Sequence, residues 1–111
     1  MQRAMQPDAL ITVRFLPPEE GGRSQPAGGR TFGCPIFIDG EGFDCRLLLD
    51  GLVLQPGKLY EVPVKFLRRD YADERLHVGT PITLWEGRTI ASGTISRVYP
   101  TTQAVKLVPQ A

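Results

Sequence analysis

The sequence predicts an all-β protein of six antiparallel strands, arranged as a barrel or a sandwich. Apolar and polar residues alternate with a period of two along most of the chain, as in half-buried strands. Turn signals such as Asp39-Gly40 and Pro56-Gly57 separate these runs. No segment of useful length shows the 3.6-residue period of an amphipathic helix. Pro35, Pro63 and Pro81 fall inside predicted strands, which a barrel with irregular seams tolerates better than a regular sheet.

The first three strands are predicted at residues 8–16, Thr31–Ile38 and Gly42–Leu49. In each of them, every second residue is apolar and is expected to face the core. These residues are Ile11, Val13, Phe15, Phe32, Cys34, Ile36, Ile38, Phe43, Cys45, Leu47 and Leu49.

The turn between the second and third strands fixes which residues lie opposite each other. Asp39-Gly40 favours a two-residue type I′ turn, because both central positions of that turn need positive φ. Such a turn places Cys34 directly opposite Cys45. A four-residue loop, Asp39–Gly42, would instead pair Cys34 with Leu47.

The last three strands are predicted at residues 59–67, 80–87 and 88–100, and a polar connection, 68–79, precedes the fifth. Their core-facing residues are Tyr60, Val62, Val64, Phe66, Ile82 and Leu84. In the sixth strand the apolar residues change from even-numbered to odd-numbered positions, so the alternation slips by one residue.

That slip lies between Ile90 and Ile95, and we expect a β-bulge at Ser92-Gly93. A final apolar segment, 104–108, is expected to add an edge strand or to dock on the body.

The chain length and the net charge limit the functions that this protein can have. The 111 residues fit one domain, which we place at 9–100 between an N-terminal tail, 1–8, and a C-terminal segment, 101–111. The net charge of +1 argues against a general nucleic-acid binder. No apolar run is long enough to span a bilayer and no signal peptide is evident, so a cytoplasmic protein without membrane association is expected.

The residues that usually carry chemistry are sparse. Cys34 and Cys45 lack metal-ligand spacing and are expected to be buried and reduced, and His77 is the single histidine. No two carboxylates are placed in the sequence as a general acid and a general base would be. We therefore expect no enzymatic activity, no metal and no cofactor.

The segment 17–30 is rich in glycine and proline and is either a slack linker or a shaped contact loop. Within it, Gly21 and Gly22 permit positive φ and close approach of another backbone. Arg23 could pair with a partner's carboxylate or phosphate, or could bind carbonyl groups of the barrel itself.

Two motifs carry a resemblance to a known family. Glu20-Gly21-Gly22-Arg23 is followed by Pro26, and Glu86-Gly87-Arg88-Thr89-Ile90 is followed by Gly93. Together with Pro56-Gly57, this ordered set resembles the C-terminal β-barrel, the third domain, of elongation factor Tu, over roughly residues 9–100.

That resemblance implies a six-stranded antiparallel barrel that does no chemistry. It implies that the loop at 21–26 faces a GTPase domain and that the turn at Arg88-Thr89 lies near a tRNA backbone. The chain lacks a P-loop, so it is not expected to bind GTP by itself. The second turn also lacks an extra glycine that is common in the family.

Two binding hypotheses follow. The first is a protein partner, a GTPase-like protein or the product of a neighbouring gene, bound through the loop 20–30. Its candidate residues are Glu20, Gly21, Gly22, Arg23, Arg30 and Trp85. The second is RNA, such as tRNA, bound through the turn 86–90, although the net charge of +1 favours a solvated hairpin tip at that turn. Its candidate residues are Lys58, Arg88 and Thr89. Trp85 is predicted to point outward as an interface anchor, or to be covered by the segment 104–108.

Overall fold

The computed structural model describes residues 6–101, and six β-strands in that part of the chain form a closed antiparallel barrel. The strands are β1 (Ala9–Phe15), β2 (Thr31–Ile38), β3 (Glu41–Leu48), β4 (Leu59–Phe66), β5 (Pro81–Trp85) and β6 (Thr89–Val98). Their order around the barrel is β1-β4-β3-β2-β5-β6, and β6 closes on β1. The predicted all-β, six-stranded barrel is confirmed, and the sandwich is not formed. The segment 104–108 lies outside the described residues.

The predicted hairpin register between β2 and β3 is also confirmed. Asp39 and Gly40 have φ values of 54° and 78°, as a two-residue type I′ turn requires. Cys34 lies opposite Cys45, and Ile36 lies opposite Phe43. The turn and the apolar pattern therefore specify one register.

The alternating residues fill the barrel interior as predicted. All the predicted core residues are buried except Phe32 and Tyr60, which are partly buried and pack against the core. Side chains that are fully enclosed come from every strand. Examples are Val13, Ile36, Leu47, Val64 and Leu84. The inside of the barrel is thus a packed core.

The three prolines lie where a strand has a partner on one side only. Pro35 pairs with β3, but the pairing of β2 with β5 begins at Ile36. Pro63 pairs with β1, and Pro81 is the first residue of β5. The missing N–H of each proline therefore removes no hydrogen bond between paired strands, because no strand pairs with the chain on that side.

The predicted bulge at Ser92-Gly93 is wrong. The register shifts between Leu84 and Trp85, opposite Ala91 and Thr89, so Ile90 is the extra residue. A second shift in the pairing of β6 with β1 leaves Ser96 unpaired. Gly93 itself pairs regularly with β1, and a β-carbon there would overlap the Thr12 carbonyl group. This glycine therefore marks a close backbone approach.

The polar connection 68–79 contains a short helix, α1 (Arg69–Ala72), and a 3-10 turn (Asp73–Arg75). Strand directions place this segment and the Asp39-Gly40 turn at one end of the barrel, here called the helix end. The other end, the loop end, carries residues 16–30, 49–58 and 86–88. Within residues 6–101, no helix has the length and apolar character needed to cross a membrane.

Candidate functional site

The two sequence motifs meet at the loop end of the barrel. Arg88 donates from Nε to the Gly21 carbonyl oxygen at 2.6 Å and from Nη2 to that of Gly22 at 3.2 Å. In the other direction, Arg23 Nη1 donates to both carboxylate oxygens of Glu86 at 2.7 Å. We call these five residues the arginine clasp. It joins the glycine-rich loop, residues 17–30, to the β5–β6 turn.

Arg23 is held on more than one side. Its Nε donates to the Gln25 carbonyl oxygen at 3.1 Å, and its guanidinium lies 4.8 Å from the centre of the Phe32 ring. The side chain is 23% exposed. The sequence left two roles open for Arg23, and the structure shows the one in which it binds within its own chain. Its acceptors are a carboxylate as well as a carbonyl group.

The two glycines are needed for different reasons. Gly21 ends a 3-10 turn (Pro18–Glu20) with a φ of 92°, a conformation that L side chains rarely adopt. Gly22 is buried, and a β-carbon there would overlap the Leu16 carbonyl group. The pair thus turns the chain and lets it lie against the first residue after β1.

The rest of the glycine-rich loop is fixed by backbone hydrogen bonds. Leu54 donates to the Ala27 carbonyl oxygen at 2.8 Å, and Gly51 donates to that of Gly29 at 2.9 Å. Ala27 and Leu54 are both buried. The segment is therefore a shaped loop tied to the β3–β4 connection, and only residues 24–26 and 29–30 of its second half are exposed.

Arg14 adds a contact that sequence reasoning missed. From the outer wall of β1 it forms a two-point ion pair with Glu20, at 3.3 and 3.4 Å, and its Nε donates to the Gly57 carbonyl oxygen at 3.3 Å. Its position in an alternating strand gave no sign of this role. Glu20 is thus paired within the chain, which was not anticipated.

The remaining predicted residues are exposed at the same end. Arg30 and Lys58 have no side-chain hydrogen bond or ion pair within residues 6–101, and Thr89 is exposed as the first residue of β6. Three other cations of this end, Arg14, Arg23 and Arg88, donate within the chain.

Trp85 points outward, as one of the two predictions for it required. The side chain is 41% exposed and packs edge-on against Phe37, with 6.3 Å between ring centres. The alternative, coverage by residues 104–108, lies outside the described residues.

The two cysteines lie in the core and not at a site. Both thiols are free and buried, and Cys45 Sγ donates to the Cys34 carbonyl oxygen at 3.2 Å. Hydrogen bonding with Cys34, together with burial, raises the pKa of the Cys45 thiol well above its ordinary value. His77 lies at the surface, with Nε2 2.9 Å from the Glu74 carbonyl oxygen. Among residues 6–101, no three His, Cys, Asp or Glu side chains are placed to hold a metal ion.

The fold and the clasp define a small closed β-barrel with an ordered rim at its loop end, formed by residues 16–30, 49–58 and 86–88. No protein-family model matches the chain, and no curated protein matches its sequence.

Proposed function

We propose that this chain is a non-catalytic binding module whose protein partner docks on the rim at the loop end. The observation that carries the proposal is the arginine clasp. Four hydrogen bonds between charged side chains and loop atoms fix the glycine-rich loop against the β5–β6 turn.

A loop that is already ordered favours binding on energetic grounds. Ordering a flexible segment on association costs roughly 0.5–1.5 kcal/mol for each side chain that is immobilised. The clasp already fixes the Arg23 side chain, and the backbone bonds at Ala27 and Gly29 fix the path of the loop, so part of that cost is removed beforehand. Ser24, Gln25 and Pro26 then form an exposed tip with two polar side chains and one proline, on a loop that a rigid scaffold positions, as is typical of binding loops.

The charge pattern of the rim favours a protein over RNA. Phosphate binding through the turn 86–90 would have to compete with the Gly21 and Gly22 carbonyl groups for the Arg88 guanidinium. Lys58, Arg30 and Thr89 remain as exposed groups that could reach a phosphate. RNA binding is therefore the weaker candidate.

The resemblance to the third domain of elongation factor Tu belongs to the same proposal. Its support is the six-stranded closed barrel and the direct contact between the two motifs that carry it. If the relationship holds, the partner is a GTPase-like protein or the product of a neighbouring gene, and the chain acts in the cytoplasm.

A site-specific crosslink tests the rim directly. A photoreactive residue would replace Ser24, whose side chain takes no part in the clasp, and in a control protein it would replace Val78, which is 69% exposed at the helix end. We expect a protein adduct in cells at Ser24 and none at Val78. Equal adducts at both positions would contradict the rim proposal.

The same experiment separates protein from RNA. An adduct sensitive to protease supports the proposal, and one sensitive to ribonuclease supports RNA. A mobility shift with bulk tRNA complements it, because binding through phosphates weakens steeply as salt rises.

A further inference from the structure

A groove runs along β5 on the outer wall of the barrel. It is an open groove with a volume of about 480 Å³. Phe37 and Trp85 provide an aromatic wall, and Thr83 and Thr89 add hydroxyl groups beside it. Asp39 lines the end of the groove nearest the helix end of the barrel. Trp85 directly precedes the β5–β6 turn, so the groove is continuous with the rim.

Strand register sets the aromatic wall before any ligand binds. Phe37 lies opposite Thr83 in β5 and is therefore a diagonal neighbour of Trp85 on the outer face. On its other side Phe37 lies opposite Gly42, where an added β-carbon would come within 3.0 Å of the ring. The glycine thus lets the Phe37 ring lie close to β3. The two rings meet edge to face at 64°.

An occupant of this groove cannot extend the sheet. The β5 backbone pairs with β2 at Ile82–Leu84 and with β6 along Pro81–Trp85. Few backbone groups of β5 remain for a new strand. The occupant must therefore bind through its side chains. A polyproline II segment suits this requirement, because it has no internal hydrogen bonds and packs its rings on aromatic surfaces.

The length and the charge of the groove indicate how long its occupant is and which charge it carries. Four strand steps from Pro81 to Trp85 span about 13 Å at about 3.3 Å each, which corresponds to about four residues of polyproline II at 3.1 Å each. Asp39 is exposed and forms no hydrogen bond or ion pair with any other residue in 6–101. This carboxylate is complementary to a basic side chain.

We propose that the groove binds a proline-rich segment of about four residues that carries an arginine or lysine at the Asp39 end. The proposal rests on the proposed function in that the protein bound at the rim supplies the segment. Aromatic contacts with Phe37 and Trp85 provide affinity, and Asp39 sets the direction in which the segment lies.

The test uses a fluorescein-labelled decapeptide with four central prolines and one arginine directly beside them, and a matched peptide with glutamate in place of arginine. Trp85 is the only tryptophan of the chain, so its emission reports on occupancy of the groove. We expect saturable binding of the arginine peptide, a blue shift of Trp85 emission and weaker binding of the glutamate peptide. In Trp85→Ala, the anisotropy change of the arginine peptide should be lost.

A matched pair of variants isolates the carboxylate. Asp39 and Asp50 both have positive φ, 54° and 51°, and both precede a glycine, but Asp50 lies at the opposite end of the barrel. Asparagine tolerates that conformation. Asp39→Asn should weaken binding of the arginine peptide about two- to five-fold, as expected for an exposed ion pair. Asp50→Asn should leave binding unchanged.

Several results would overturn the proposal. They are no binding of the arginine peptide at millimolar concentration, equal binding of the two peptides, or equal effects of the two asparagine variants. Trp85 emission that depends on protein concentration alone would assign the groove to a second copy. Arginine-peptide binding that appears only after deletion of residues 102–111 would assign the groove to that segment. A Ser24 crosslink without peptide binding would refute the groove and leave the rim proposal standing.

Discussion

Removing Arg69 should destabilise the helix end of the barrel strongly. Its Nη1 lies 3.2 Å from Oδ1 of Asp8, and the two side chains are 14% and 7% exposed. Asp8 Oδ2 also accepts the Phe66 N–H at 2.8 Å, and Arg69 Nη2 donates to the Tyr99 carbonyl oxygen at 2.9 Å. The buried ion pair therefore ties α1 to the residue before β1. Through their other hydrogen bonds, Asp8 also holds the end of β4 and Arg69 holds the residue after β6.

The expected cost follows from these contacts. In Arg69→Met the Asp8 carboxylate stays buried without its main counter-ion, and loss of one partner of a buried pair costs about 3–5 kcal/mol. Lys65 Nζ, 3.6 Å from the same oxygen, partly compensates. We therefore expect about 3 kcal/mol, which lowers the midpoint of thermal unfolding by roughly 12–24 °C for a domain of this size.

Urea unfolding measured by Trp85 fluorescence gives the free energy of unfolding. In a double-mutant cycle, Arg69→Met and Asp8→Asn should be clearly non-additive, because each removes the same pair. Asp70→Asn, which breaks an exposed pair with Arg68, is the control and should change little. Additive effects at Asp8 and Arg69, or an Arg69→Met effect no larger than that of the control, would refute the reasoning.

Two further predictions concern the core. The raised pKa of Cys45 means that its thiol ionises only in the unfolded state, so stability should fall above about pH 8.5 by about 1.4 kcal/mol per pH unit. Under reducing conditions, the same slope in Cys45→Ala would contradict this. Gly93→Ala should cost about 3 kcal/mol, the upper end of the usual range for overpacking, or prevent folding, because its methyl group would overlap the Thr12 backbone. Gly33→Ala, which has ordinary space, should unfold like the wild type, and equal unfolding midpoints for these two variants would count against the packing argument.

The barrel could be predicted from local patterns because alternation and turn chemistry act over a few residues. Asp39-Gly40 specified the β2–β3 register, and the parity of Ile11, Val13 and Phe15 specified the inner face of β1. The bulge was predicted at the wrong position because the glycine at position 93 could have been required for either of two reasons. A glycine in a strand signals either an irregular register or a close backbone approach, and only the position of Thr12 decides between them.

The site was predicted as two separate surfaces because its contacts are long-range. For Arg23 the sequence left a partner and the barrel's own carbonyl groups open, and Arg88 was a candidate for RNA binding, but each binds groups 63 to 67 positions away along the chain. Asp8 and Arg14 were missed for the same reason. A single charged residue carries no local sign of the partner that barrel closure will bring to it.

Hydrogen exchange in the free protein tests the central claim, that the rim is formed before any partner binds. The Gly21 and Gly22 amides donate to the Pro18 and Pro17 carbonyl oxygens at 3.0 Å. We expect the buried Gly22 amide to exchange far more slowly than an unstructured peptide, and faster in Arg88→Ala, which removes half of the clasp. Exchange of Gly22 at the unstructured rate in the wild type would show that the rim is not pre-formed, and the binding proposal would lose its basis.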